Sequence, residues 1–170
     1  MKNSDRISQL PANIQVLRYL GSPQRLAKST SAIKQYVECP IDVLPDPYLE
    51  LGTHPDLVGY LWRDTTKLVD VDCRWIVYGA PALICPISGV IFGFAEGTMT
   101  CALRLPLTEH AAALAAGFSK IVAYKAQPRL NIQETEIVAS TIGPEWLFHF
   151  HVKDMGYWGS VAYNLARGGL

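Results

Sequence analysis

A chain of 170 residues is long enough for one domain with a substantial core and too short for two of ordinary size. Its 15 basic and 15 acidic side chains cancel to a formal net charge of zero, so nothing global draws it to nucleic acid or to an anionic membrane. No apolar run approaches the ~18 residues of a membrane span. The opening Met1-Lys2-Asn3-Ser4-Asp5 lacks the apolar core of a secretion signal, so a cytoplasmic protein without a membrane partner is expected.

The first elements read as helical. Leu10, Ile14, Leu17 and Leu20 follow helical spacing, Pro11 suits a first turn, and Gly21 is placed to end the helix. Ser22-Pro23 begins a second short helix through Lys28, and Ser29-Thr30-Ser31 caps a third that contains Ile33, Tyr36 and Val37. Pro40, Pro45, Pro47 and Gly52 then make 39–53 a connector, which Ile41, Val43, Leu44, Tyr48 and Leu49 hold down on the domain. Thr53 caps a helix over 54–66, with Asp56 in its first turn and Val58, Leu61 and Trp62 as its buried stripe.

The core begins at Asp72. Three β-rich runs, 74–78, 82–86 with 89–95, and 99–105, are separated by Gly79-Ala80-Pro81, Ser88-Gly89 and Glu96-Gly97. The glycines supply the positive φ of tight hairpins, so an antiparallel meander is predicted. Thr108 caps a helix over 108–116 that Gly117 ends, with Leu107, Ala111, Leu114 and Phe118 facing the sheet. A strand follows near 120–125. The stretch 131–142 fits either strand or helix and leans to strand or irregular structure. Trp146-Leu147-Phe148-His149-Phe150-His151-Val152 alternates as a half-buried strand does. Trp158, Val161, Ala162 and Leu165 mark a closing helix over 157–167. The fold class expected is therefore α+β: an antiparallel sheet built on 74–105 and extended near 120–125 and 146–152, covered by helices, in one domain. A basic helical segment (1–38) is appended, and the connector 39–53 leads into the α+β part, 54–170. Trp75, Val77, Ile91, Phe92, Leu103, Leu114, Phe148, Val161 and Leu165 form the expected core.

Within this order, Tyr78-Gly79-Ala80, Ser88-Gly89-Val90-Ile91-Phe92-Gly93, Ala102-Leu103-Arg104-Leu105 and Glu109-His110-Ala111-Ala112-Ala113-Leu114 follow one another. Residues 75–166, taken together, resemble the N-terminal domain of TfoX-type competence regulators and the related YjbR-like (MmcQ) proteins. The resemblance implies a small antiparallel sheet with a late strand and a closing C-terminal helix, and an association with regulation and DNA. It brings no catalytic residues with it. The family's aromatic-Gly-Gly pattern is departed from at Ala80, and 118–143 is an insertion relative to it.

Chemistry-bearing residues are sparse. No Gly-x-Ser-x-Gly turn is present, and Ser88 is explained by turn chemistry. Gly89, Gly93 and Gly97 fall at hairpin ends, so they cradle no phosphate and no cofactor is implied. Cys39, Cys73, Cys85 and Cys101 form no Cys-x-x-Cys pair and read as small buried hydrophobes. His149 and His151 stand one residue apart, which on a strand turns both rings to one face. There they either line solvent or, with a third ligand such as His54, Cys73 or Asp154, hold a metal for a metal-dependent enzyme.

The first 38 residues carry Lys2, Arg6, Arg18, Arg25, Lys28 and Lys34 against Asp5 and Glu38, whereas 39–72 carry seven acids against Arg63 and Lys67. The basic segment is a solvated face or, alternatively, a compact helix-turn-helix that contacts DNA through Arg18, Arg25, Lys28, Lys34 and Gln35. The abundance of bulky aromatic residues outside the meander, Tyr48, Tyr60, Trp62, Trp146, Tyr157 and Trp158, favours a different reading. It is a non-enzymatic binding or regulatory domain with a protein partner, a second copy of itself in a homodimer.

Overall fold

Apolar residues occupy both faces of the strands that follow Asp72, and such a sheet is stable only with a layer packed on each side. The computed structural model describes residues 3–28, 36–38, 53–124 and 135–169. Helices α1 (Asn3–Gln9), α2 (Ile14–Leu20) and α3 (Pro23–Lys28) precede a short strand β1 (Tyr36–Glu38). Helix α4 (Pro55–Gly59) runs directly into a π-helical turn (Tyr60–Asp64). Then come β2 (Arg74–Val77), β3 (Ala80–Ile84), β4 (Ile91–Glu96) and β5 (Thr100–Arg104). The chain continues through α5 (His110–Ala116), β6 (Ile121–Tyr124), β7 (Thr135–Val138), β8 (Trp146–Phe148) and α6 (Met155–Arg167).

The α+β plan and the antiparallel meander are as expected. The strands form a six-stranded sheet in the order β1-β2-β3-β4-β5-β8, with every neighbouring pair antiparallel. Tyr78 (φ 48°) and Gly79 (φ 78°) make the two-residue turn between β2 and β3, where both central positions need positive φ. Pro81, expected in that turn, instead lies in β3 near its start, where a missing N–H costs least.

Two other elements differ from expectation, and a third is not described. Tyr36 and Val37 belong to strand β1, paired with Ile76 and Val77 of β2, where a helix was predicted; the open edge of β2 outweighs local helix preference. The connector 39–52 lies outside the described residues. The 120–125 strand does not extend the main sheet, because β6 pairs with β7 in a separate two-stranded one. Ser119 exchanges backbone hydrogen bonds with Phe148, and its hydroxyl then closes a local turn on the backbone of Ile121, which carries the chain off the sheet edge.

Two cores result. On one face Leu57 and Leu61 of the α4 segment and Trp158 and Ala162 of α6 pack on Leu83, Phe92, Leu103 and Leu147. On the other, Ile7, Val16, Leu17 and Leu20 of α1 and α2 pack on Val77, Ile84, Ile91 and Phe94, with Trp146 beside them. The first helices are thus a covering layer and not an appendage. A bulge lets β4 serve both faces: Leu83 pairs with Gly93 but Ile84 with Ile91, leaving Phe92 as the extra residue. Gly93 sits at the crowded centre, where an added Cβ would lie 3.0–3.4 Å from the Leu83, Leu103 and Leu61 side chains.

The turn between β3 and β4 is held from both layers. Arg6 Nη2 donates to Ile87 O (2.6 Å), and Asn13 Nδ2 donates to Gly89 O while its Oδ1 accepts from Ile91 N–H, both at 2.9 Å. From the opposite side Ser88 Oγ donates to Ala166 O at 2.7 Å.

Two stripes are rotated from the predicted ones. Leu107 and Leu114 are exposed, and α5 enters the core through Ala113 followed by Phe118, because the 3₁₀ turn Leu107–Glu109 changes the period ahead of the helix. In α6 the buried stripe is Met155, Trp158, Gly159, Ala162 and Ala166, with Val161 and Leu165 half-buried. Gly159 marks the closest approach: a Cβ built there would lie 1.7 Å from Thr65 O. Backbone cannot yield as a side chain does, so Gly159→Ala is expected to cost about 3 kcal/mol. Urea denaturation measures it, and a loss under about 1 kcal/mol would show that the helix shifts freely.

Candidate functional site

The predicted strand from Trp146 to Val152 stops at Phe148, and the backbone beyond it turns sharply. His151 (φ 55°) and Asp154 (φ 56°) both take the left-handed conformation, which costs a non-glycine residue on the order of 1 kcal/mol and is held only where surrounding structure imposes it. Tyr60 supplies part of that hold. Its hydroxyl donates to Val152 O (3.3 Å) and accepts from Val152 N–H (3.1 Å), tying the π-helical turn to the corner 149–154. Burial pushes this phenol above its ordinary titration range. The wide turn that presents Tyr60 is closed by Thr65, whose N–H (3.0 Å) and Oγ1 (2.9 Å) both donate to Tyr60 O. Such single π turns recur at functional sites.

Because the strand ends early, the two histidines part company. His149 is 3% exposed, with its ring between Tyr60 and Phe118 at centroid separations of 5.3 Å each. Burial pushes the imidazole down to about 3, against a weaker upward pull from the Ala102 backbone, so the ring is neutral. His151 is exposed and stands against Phe150 at 4.0 Å. The shared face that a metal pair requires is not formed. Cys73 lies in the core and Asp154 caps α6, and among the described residues no three His, Cys, Asp or Glu side chains converge.

The corner divides three hollows. The first, about 620 Å³, lies between the α4 segment and the corner and is lined by His54, Asp56, Arg63, Asp64, Phe150 and His151. His54, and not Thr53, caps α4: its Nδ1 accepts from Asp56 N–H at 3.2 Å. Arg63 Nε pairs with the Asp64 carboxylate at 3.0 Å, so the rim carries both signs of charge. The second hollow, about 760 Å³, has Lys67, Leu68, Lys153, Asp154 and Tyr157 around it, with His151 again on its edge. The third, about 220 Å³, lies under Met99, Ile121 and Phe150 beside His149.

The basic helices do not present the predicted set. Arg25 Nη1 donates to Leu20 O (2.7 Å) and Tyr78 O (3.0 Å), while its Nε pairs with the Glu96 carboxylate, to which the Tyr19 hydroxyl also donates. That guanidinium is a structural clamp. Arg18 is exposed on α2, Lys28 closes α3, and Lys34 and Gln35 lie outside the described residues. Cys73, read from the sequence as a small buried hydrophobe, is buried, and burial pushes its thiol up to about 12. Cys39 lies outside the described residues.

Two residues escaped sequence reasoning. In the sequence Tyr60 stands among the bulky aromatic residues that favour an interface, and nothing there marks the π turn. Arg104 is 3% exposed; its Nη2 donates to Ala12 O (2.6 Å) and its guanidinium lies 5.0 Å from the Trp146 ring centroid. Burial lowers it to about 10, with Glu145 opposing. Its place between two leucines in an apolar run was the available signal.

No protein-family model matches the chain, and neither curated proteins nor solved structures give a match. No helix among the described residues is long and apolar enough to cross a membrane.

The buried histidine sets a pH dependence. The unfolded ring titrates near 6.5 and the folded one near 3, so as pH falls through this window the unfolded state takes up a proton that the fold excludes, and stability drops. Between pH 7 and pH 5 the contribution is about 2 kcal/mol. His149→Phe should lose less stability over that interval by about this amount, read from urea midpoints; an unchanged pH slope would contradict the assignment.

Proposed function

We propose that the chain is a non-catalytic binding or regulatory domain whose working surface is the corner 149–154 with the hollows on either side of it, and that its partner is a protein, first of all a second copy of itself. What carries this reading is where large apolar side chains remain uncovered. Trp146 and Trp158 are absorbed by the cores, and Trp62 is half-buried with its Nε1 donating to Ala82 O at 3.1 Å. Tyr48 lies outside the described residues. Of the aromatic residues that suggested an interface, Tyr157 is 50% exposed, and Leu68, 61% exposed, lines the same hollow, with Phe150 across the corner. Aromatic and aliphatic anchors beside a concave surface are the usual centre of a protein interface.

The charges around these anchors favour self-pairing. Lys67 and Lys153 outnumber Asp154 around the second hollow while Asp56 and Asp64 outnumber Arg63 around the first, so a two-fold arrangement brings a small excess of opposite sign together. The left-handed corner keeps the surface pre-formed, which lowers the ordering cost of association. The regulatory association implied by the resemblance to TfoX-type domains is compatible with such a partner-binding face.

Light scattering at micromolar concentration should give twice the 18.8 kDa of one chain. Replacing Leu68 and Tyr157 together by serine should return the single-chain mass while changing folding stability by no more than about 0.5 kcal/mol per site, since both side chains are exposed. A single-chain mass for the unsubstituted protein would sink self-association.

A further inference from the structure

Both ring nitrogens of His149 are closed to solvent, and neither makes a hydrogen bond of good geometry among the described residues, the weak pull of the Ala102 backbone being the polar contact the ring has. A buried polar group left in that condition lowers stability, a penalty that a phenylalanine between Tyr60 and Phe118 would avoid. The two aromatic neighbours cover the imidazole, and the residue forms part of the wall of the 220 Å³ hollow. Over the mouth of this hollow stand three large apolar side chains, Met99, Ile121 and Phe150, at 46%, 43% and 47% exposure. Ser119, the other polar side chain on the wall, already has its hydroxyl committed to the backbone of Ile121. An apolar rim with one polar group of unspent capacity behind it is the composition of a small-ligand site.

We propose that this hollow binds a small planar aromatic molecule bearing a single hydrogen-bonding group, of the indole or phenol class. Its ring lies under Met99, Ile121 and Phe150, and its N–H or O–H meets a nitrogen of His149. The volume decides against larger ligands, since sites for drug-sized molecules begin near 300 Å³. The neutral imidazole decides against anions: it offers one donor and one acceptor and no positive charge for a carboxylate or phosphate. Self-association is tested at Leu68 and Tyr157 on another hollow, although both readings share Phe150.

The test titrates the full chain with size-matched pairs, phenol against benzene and indole against indene, following melting temperature and the His149 imidazole resonances. The expected result is saturable binding of phenol or indole, about tenfold tighter than the partner without the polar group, which corresponds to ~1.4 kcal/mol, with movement of the His149 signals. His149→Phe should remove that preference. Met99→Trp, which closes the mouth and leaves His149 in place, should abolish binding and keeps the test valid if His149→Phe does not fold. The proposal is overturned by no saturable binding of either polar ligand, by equal affinity within each pair, or by binding that survives Met99→Trp. It is equally overturned if a tryptophan-containing peptide binds where free indole does not, which would make the hollow an anchor pocket for a protein.

Discussion

The contact between Gly159 and the Thr65 carbonyl fixes how the last helix crosses the π-helical turn, and the geometry of the corner follows from it. With no Cβ at position 159, α6 comes directly onto the Thr65 backbone at that point. That places Met155 in the core, so the chain leaving β8 at Phe148 must reverse within the stretch 149–154 to reach it. The left-handed residues His151 and Asp154 are the cost of this short path, and the two hydrogen bonds between Tyr60 and Val152 offset it. The hollows, and the burial of one histidine with the exposure of the other, descend from one close approach of backbone to backbone.

On the opposite face a charge holds what small size holds on the first. Arg25 joins α3 to the end of α2, to the β2–β3 turn and to Glu96 at the end of β4, with Tyr19 on the same carboxylate. The guanidinium has several donors in a rigid fork, which lets one side chain serve carbonyls on separate elements. A positive charge that reads in sequence as an invitation to phosphate is thereby consumed inside the fold. The same holds for Arg6 on Ile87 O and for Arg104 on Ala12 O.

The meander was legible because its signals are local: apolar runs of strand length, each bounded by a glycine that takes positive φ, as Gly79, Gly89 and Gly97 do. The closing helix was legible from its spacing. What could not be read depends on partners distant in sequence. Tyr36 and Val37 are strand residues because β2 offers an edge, and Ile121 to Tyr124 leave the main sheet because Ser119 ends its pairing with Phe148. The alternation through His149 and His151 has the correct period for a strand, but period says nothing about where a strand ends, and the early end parts two rings that the period places on one face. Leu114 was misplaced for a similar reason, since a single 3₁₀ turn shifts the register of every residue after it. Of the candidate site, His54, Asp154 and both late histidines were singled out in advance; the grouping that joins His54 with His151 was not.

The β3–β4 turn is gripped by Arg6 and Asn13 from one layer and by Ser88 bonded to Ala166 from the other, contacts that span nearly the whole chain. A ribosome delivers these partners at opposite ends of synthesis. The hairpins of the meander can form as soon as they emerge, and the first helices can settle on one face at once. The other face has only the α4 segment, through Leu57 and Leu61, over Leu83, Phe92 and Leu103 until α6 has left the exit tunnel. For that interval the nascent chain is a half-covered sheet with part of its apolar surface open to chaperones and to neighbouring chains. Completion of the fold is a single late event: the docking of the last helix across Thr65.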